Sequence, residues 1–122
     1  TLAFETARIG YSRIESVAPE LHLLTQWREY LRFARIEPAP GMPAEQIVWM
    51  TQLTERFPYS PSMLRLAKAQ ALNGDPAAAQ RTLARLCLLH SVPRCRDALR
   101  EWRQLARESY PQLAAVPLPP RP

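Results

Sequence analysis

The placement of proline constrains this chain more than any other feature. Proline has no backbone N–H and a fixed φ, so it is excluded from helix interiors and central strands but suits a first helical turn. Thirteen prolines against three glycines therefore act as punctuation. Between Pro19, Pro38, Pro58, Pro76, Pro93 and Pro111, apolar residues recur at three and four, and no segment shows the strict alternation of a half-buried strand. The fold class this predicts is all-α: an antiparallel helix-turn-helix array of about five helices.

The first helix is expected over Glu20 to Ile36, with Leu23, Leu24, Trp27, Tyr30, Leu31 and Ala34 on its stripe. Pro38, Pro40, Gly41 and Pro43 then make a loop over Glu37 to Pro43, a boundary inside one domain. Ala44 to Phe57 carries Ile47, Met50, Leu53 and Phe57 at helical spacing and stops before Pro58. A third helix is expected from Ser62, with Leu64, Ala67 and Ala71 on one stripe and Met63, Leu66 and Gln70 on its neighbour. The corner after it has the strongest local signals in the sequence. Gly74 supplies the left-handed residue, Asp75 a cap, and Pro76 a first helical position. The fourth helix, Pro76 to about Leu89, presents Ala79, Leu83, Leu86, Cys87 and His90, and the fifth, about Pro93 to Tyr110, presents Cys95, Ala98, Leu99, Trp102, Leu105 and Ala106. Phe4 to Val17 reads as a short helix broken near Gly10.

These elements predict a single helical domain over residues 1–115. Residues 116–122, with four prolines in seven positions, are expected to be an extended polyproline or disordered tail. At 122 residues and 47% hydrophobic content, such a chain buries roughly 65% of its unfolded surface and needs no metal to fold. No run approaches the ~20 apolar residues of a membrane span. The start at Thr1, without methionine or a signal region, predicts a piece of a longer protein.

The two cysteines, Cys87 and Cys95, flank a turn at Ser91, Val92 and Pro93. Their spacing fits neither a C-x-x-C redox motif nor a zinc site lacking two further ligands. With Cys87 ending one helix and Cys95 in the first turn of the next, the sulfurs can meet across the corner. Such a disulfide closes a loop of about nine residues, worth roughly 2.5 kcal/mol by chain entropy, and requires an oxidising compartment.

Chemistry of other kinds is poorly represented. His22 and His90 have no serine, cysteine or carboxylate beside them in a motif with known mechanics. His90, at a helix end, suits an interaction with the helix dipole. Three glycines make no phosphate loop or dinucleotide fingerprint, so no catalytic residue, metal site or cofactor is expected. The net charge of +5, from 16 basic residues of which only Lys68 is lysine, permits an acidic partner without selecting one. The most ordered polar feature is Arg96, Arg100, Arg103 and Arg107, which project within roughly 60° of one another at 3.6 residues per turn. Asp97, Glu101 and Glu108 adjoin them, and the apolar face is expected on the far side. Such a ridge is either a solvated face partly neutralised by its neighbouring acids or a surface suited to phosphate, an acidic glycan or an acidic protein surface through bidentate hydrogen bonds. Nucleic acid is not expected as a partner, because Trp27, Trp49 and Trp102 lie on apolar stripes and are not interleaved with the basic residues.

Two resemblances extend this reading. Leu66, Ala67, Gly74, Asp75, Ala79, Leu83 and Leu86 resemble one tetratricopeptide repeat over about residues 62–90, although Met63 and Gln70 stand where that repeat usually has aromatics. Over a longer span, about Tyr11 to Leu118, the chain resembles the C-terminal region of bacterial protein O-oligosaccharyltransferases of the PglL type, related to O-antigen ligases and polymerases. The residues carrying this likeness are Leu31-Arg32-Phe33-Ala34, Glu55-Arg56-Phe57-Pro58, Ala71 through Ala79, Arg85-Leu86-Cys87 and Tyr110-Pro111-Gln112-Leu113. It implies a multi-span inner-membrane parent that moves a lipid-linked glycan to hydroxyls of periplasmic proteins such as pilin. The family's essential histidine and arginines belong to the membrane part, so no catalytic role carries over. What the resemblance implies for these residues is a soluble periplasmic accessory domain. Its partners would be an acceptor protein, the membrane part of the same enzyme, or an anionic lipid or glycan surface. A free-standing helical-repeat interaction module is the alternative.

Overall fold

A computed structural model describes residues 19–120. The helix expected over Phe4 to Val17 lies outside the described residues, as does the side chain of His22. The chain divides into two compact units, Thr1–Arg35 and Ile36–Pro122.

The described part of the first unit is α1, Pro19–Phe33. It ends three residues before the expected Ile36, in a turn where the Ala34 N–H donates to the Tyr30 carbonyl and the Arg35 N–H to that of Arg32. Trp27 and Tyr30 stack with centroids 5.1 Å apart, and Tyr30 and Phe33 at 6.1 Å.

The second unit contains α2 (Ala44–Arg56), α3 (Ser60–Leu72), α4 (Pro76–Leu89), α5 (Val92–Glu108) and a closing 3₁₀ turn, Pro111–Ala115. Five α-helices and no strand thus make up the described residues, an all-α fold. The third helix begins two residues earlier than expected because Pro61 sits inside its first turn, where the missing N–H has no intrahelical partner to lose.

The α3–α4 corner is built by local chemistry. Gly74 is left-handed at φ +86°, the Asp75 N–H reaches back to the Gln70 carbonyl at 2.9 Å, and the Gly74 N–H to that of Ala71 at 3.3 Å. Together these bonds form the paired C-terminal motif that satisfies the last carbonyls of a helix. The Asp75 carboxylate then accepts from the Ala78 N–H at 3.0 Å, capping α4. Asn73 also reaches outside the corner. Its amide donates to the Ala39 carbonyl at 3.0 Å, and its Oδ1 accepts from the Met42 N–H at 2.9 Å. The proline loop is thereby tied to the end of α3, and Gly41 within it takes φ +81°.

Packing is most extensive between α3 and α4. Ala67 and Ala79 are fully buried, and small residues at these positions allow close approach of the two helices. This geometry is compatible with a tetratricopeptide-like pair. Met63, Leu83, Leu86 and Trp102 complete the core, together with Leu113 and Val116. Val116 opens the proline-rich segment expected from residue 116, and its backbone there is extended. Val116 is 4% exposed, and Leu118 packs against the same core. Trp102 supplies the reason: its indole N–H donates to the Leu113 carbonyl at 3.1 Å, holding the 3₁₀ turn against α5 so that the following apolar residues fall on covered surface.

Candidate functional site

The candidate surface is built on α5, whose sequence sorts into an apolar stripe, a basic stripe and an acidic one. Cys95, Ala98, Leu99 and Trp102 are buried, which fixes the helix rotation and turns the arginines outward. Arg96, Arg100 and Arg107 are exposed and Arg103 is half-buried. Arg100 lies 3.9 Å from Asp97 with both side chains 75% exposed, an ion pair of little strength in water. It is the one ion pair within 4 Å among the described residues. The other three guanidinium groups keep their charge unneutralised by direct contact.

The apolar stripe of α5 lies away from the ridge, as expected, and a second apolar surface adjoins the arginines. A groove of about 270 Å³ opens directly beside them, lined by Trp102, Arg103, Ala106, Arg107, Leu113, Ala114, Val116 and Leu118. One wall is α5 and the other is the 3₁₀ turn with the chain that follows. The second wall was missed by sequence reasoning, although Leu113 and Val116, three apart after Pro111, are its trace. An apolar floor with two guanidinium groups on its rim suits an amphipathic anion. The apolar part leaves water while the charge meets fixed donors.

Other features are structural. Cys87 and Cys95 form a disulfide with Cα atoms 4.7 Å apart. His90 Nε2 lies 2.7 Å from the Pro58 carbonyl. Since a carbonyl only accepts, Nε2 carries the hydrogen and ties the end of α4 to the loop before α3, a more specific role than the dipole interaction expected of it. Among the described residues no three His, Cys, Asp or Glu side chains group to hold a metal. A second groove of about 300 Å³, between α2 and the α3–α4 corner, is lined by Ala44, Ile47, Val48, Thr51, Gln70, Asn73 and Asp75. It brings no base beside a nucleophile. Trp102 is buried and offers no face on which a nucleobase can stack.

No helix among the described residues is long and apolar enough to cross a membrane. No curated protein and no solved structure matches the chain. A family model does match, over residues 9–108, which takes in α1 to α5. Its description is of the C-terminal part of a membrane-bound protein. The chain belongs to the family "Virulence factor membrane-bound polymerase, C-terminal".

Proposed function

We propose that this chain is the periplasmic C-terminal accessory domain of a membrane O-oligosaccharyltransferase of the PglL type, and that it engages the acceptor protein through the arginine ridge and its groove. The observation that carries this reading is the apolar groove rimmed by Arg103 and Arg107 on a domain of a membrane-bound family. The Cys87–Cys95 bridge supports a periplasmic location, since disulfides persist in oxidising compartments. In this reading, glycan transfer is the work of the membrane part, and the domain raises the local concentration of acceptor near it. An acceptor segment with a carboxylate beside an apolar side chain has the matching chemistry.

The test is glycan transfer in cells by the full-length enzyme carrying Arg103→Glu and Arg107→Glu, alongside deletion of the domain. Reduced attachment to the acceptor, with the membrane part still present at normal level, is expected. Unchanged transfer to every acceptor by both variants sinks the proposal. The word "polymerase" in the family description favours a second reading, in which the domain serves glycan polymerisation. Deletion would then shift glycan chain length and leave attachment to protein untouched.

A further inference from the structure

The nine-residue ring closed by Cys87 and Cys95 keeps its apolar side chains outside. Leu88 is 84% exposed, Leu89 50% and Val92 46%, while Leu86, the residue before the ring, is fully buried. Leaving three aliphatic side chains in water at one corner forgoes the burial that Leu83, Leu86 and Leu99 gain on the same two helices. The covalent closure resists their collapse onto the protein.

Charge along the segment that holds the ring is basic. Between Asp75 and Asp97 the chain carries Arg81, Arg85, Arg94 and Arg96 and no carboxylate. All four arginines are exposed, and Arg94 shares a shallow groove with Asp97 and Glu101 on its α3 side. On α4, Arg81, Arg85 and Leu88 follow at four and three, so the basic stripe leads along one helix face to the apolar tip.

We propose that this disulfide-closed corner is a bilayer contact. Leu88, Leu89 and Val92 dip into the headgroup–acyl boundary of an anionic membrane, and Arg85, Arg94 and Arg96 pair with lipid phosphates around them. Exposed apolar side chains in a segment that carries arginines and no acid are the composition that binds such an interface. The long arginine stems lie along apolar surface while their heads stay at phosphate level. Charge complementarity selects lipid as the occupant, and membership of a membrane-bound family keeps such a surface always at hand. The contact fixes which way the arginine groove of α5 faces above the membrane. It rests on the family assignment and not on acceptor recognition.

The experiment is flotation of the 122-residue chain with vesicles of phosphatidylglycerol and phosphatidylcholine, against vesicles of phosphatidylcholine alone. Binding is expected to the first, falling with added salt. The triple variant Leu88→Ser, Leu89→Ser, Val92→Ser should lower it by at least about tenfold. Replacing Arg85, Arg94 and Arg96 by glutamine should cost about fivefold for each at low salt. Leu88→Trp should show emission quenched by brominated acyl chains. Should the triple variant melt lower than the parent, Leu88→Ser alone, at the most exposed of the three positions, reads the same loss. The proposal is overturned if the parent chain ignores anionic vesicles, if the serine variants bind as well as the parent, or if Leu88→Trp stays unquenched. Loss on the arginine changes alone also overturns it, since that is surface attraction without insertion. None of these readouts involves glycan transfer, so failure here leaves the acceptor proposal to its own test.

Discussion

The two corners flanking α4 begin the following helix in the same way and are held by opposite means. Each places a capping residue, Asp75 or Ser91, directly ahead of the new helix, with a proline in its first turn. At the α3–α4 corner the hold is polar and local: a left-handed glycine, two reaching-back N–H groups and the Asn73 amide. At the α4–α5 corner glycine is missing, the cap is weaker at 3.4 Å, and a disulfide closes the turn. The contrast follows the fate of the apolar residues. Leu72 and Ala79, either side of the first corner, are buried, whereas Leu88, Leu89 and Val92 at the second are not. A corner with apolar neighbours beneath it is held by packing and hydrogen bonds. One that points its apolar residues outward lacks that support, and covalent closure replaces it.

The largest expected effect breaks the second corner. Cys87→Ser should lower stability by roughly 2.5 kcal/mol under non-reducing conditions, or about 10 °C in melting temperature for a chain of this size. Calorimetry of the parent with and without reductant checks it, and equal melting would refute the role given to the bridge. Next, Asn73→Ala removes bonds to Ala39 and Met42 as well as to Ala69. A loss of about 2 kcal/mol is expected. Amide exchange should speed up at Met42, whose N–H loses its acceptor, and unaltered protection there would mean that the loop is held by other contacts.

The comparison is sharpened by the two caps. Asp75→Ala should cost about 1 kcal/mol and Ser91→Ala about 0.5 kcal/mol, because the serine bond is long and its corner is already closed covalently. Urea titration distinguishes them, and a larger loss at Ser91 reverses the ordering of the corners. The smallest effect belongs to the ridge. Arg103→Gln with Arg107→Gln should leave stability within about 0.5 kcal/mol, since neither guanidinium makes an ion pair among the described residues. Thermal melts decide it. A greater loss would make these arginines part of the structure and no longer a surface held ready for a partner.

Much of this was legible in the residues. Proline positions and three–four periodicity delimited the helices, and Asn73-Gly74-Asp75-Pro76 announced its own corner because every signal in it acts within one helical turn. The alignment of Arg96, Arg100, Arg103 and Arg107 followed from helix geometry alone. The placement of Cys87 and Cys95 either side of a turn likewise made a bridge sterically reasonable.

Other features had no local signature. The bonds from Asn73 to the proline loop span more than thirty positions, and His90 meets Pro58 across a similar separation. The composition of the proline-rich end pointed to an extended chain and carried no sign of its burial. Four prolines argue for an extended chain, but extension does not prevent Val116 from lying on covered surface once Trp102 has fixed Leu113.

What the sequence determined by itself was where helices start and stop and which side chains share a face, because proline geometry, capping and helical spacing are properties of a few consecutive residues. Which elements cover those faces was decided by tertiary structure. Leu86 stood on the apolar stripe by its spacing and Leu88 did not, but that the first packs with Met63, Ala98 and Trp102 is a matter of how α3 and α5 assemble on α4. Arg103 and Arg107 likewise became the rim of a groove only when the chain end folded back, since the free energy that places it comes from contact with distant residues.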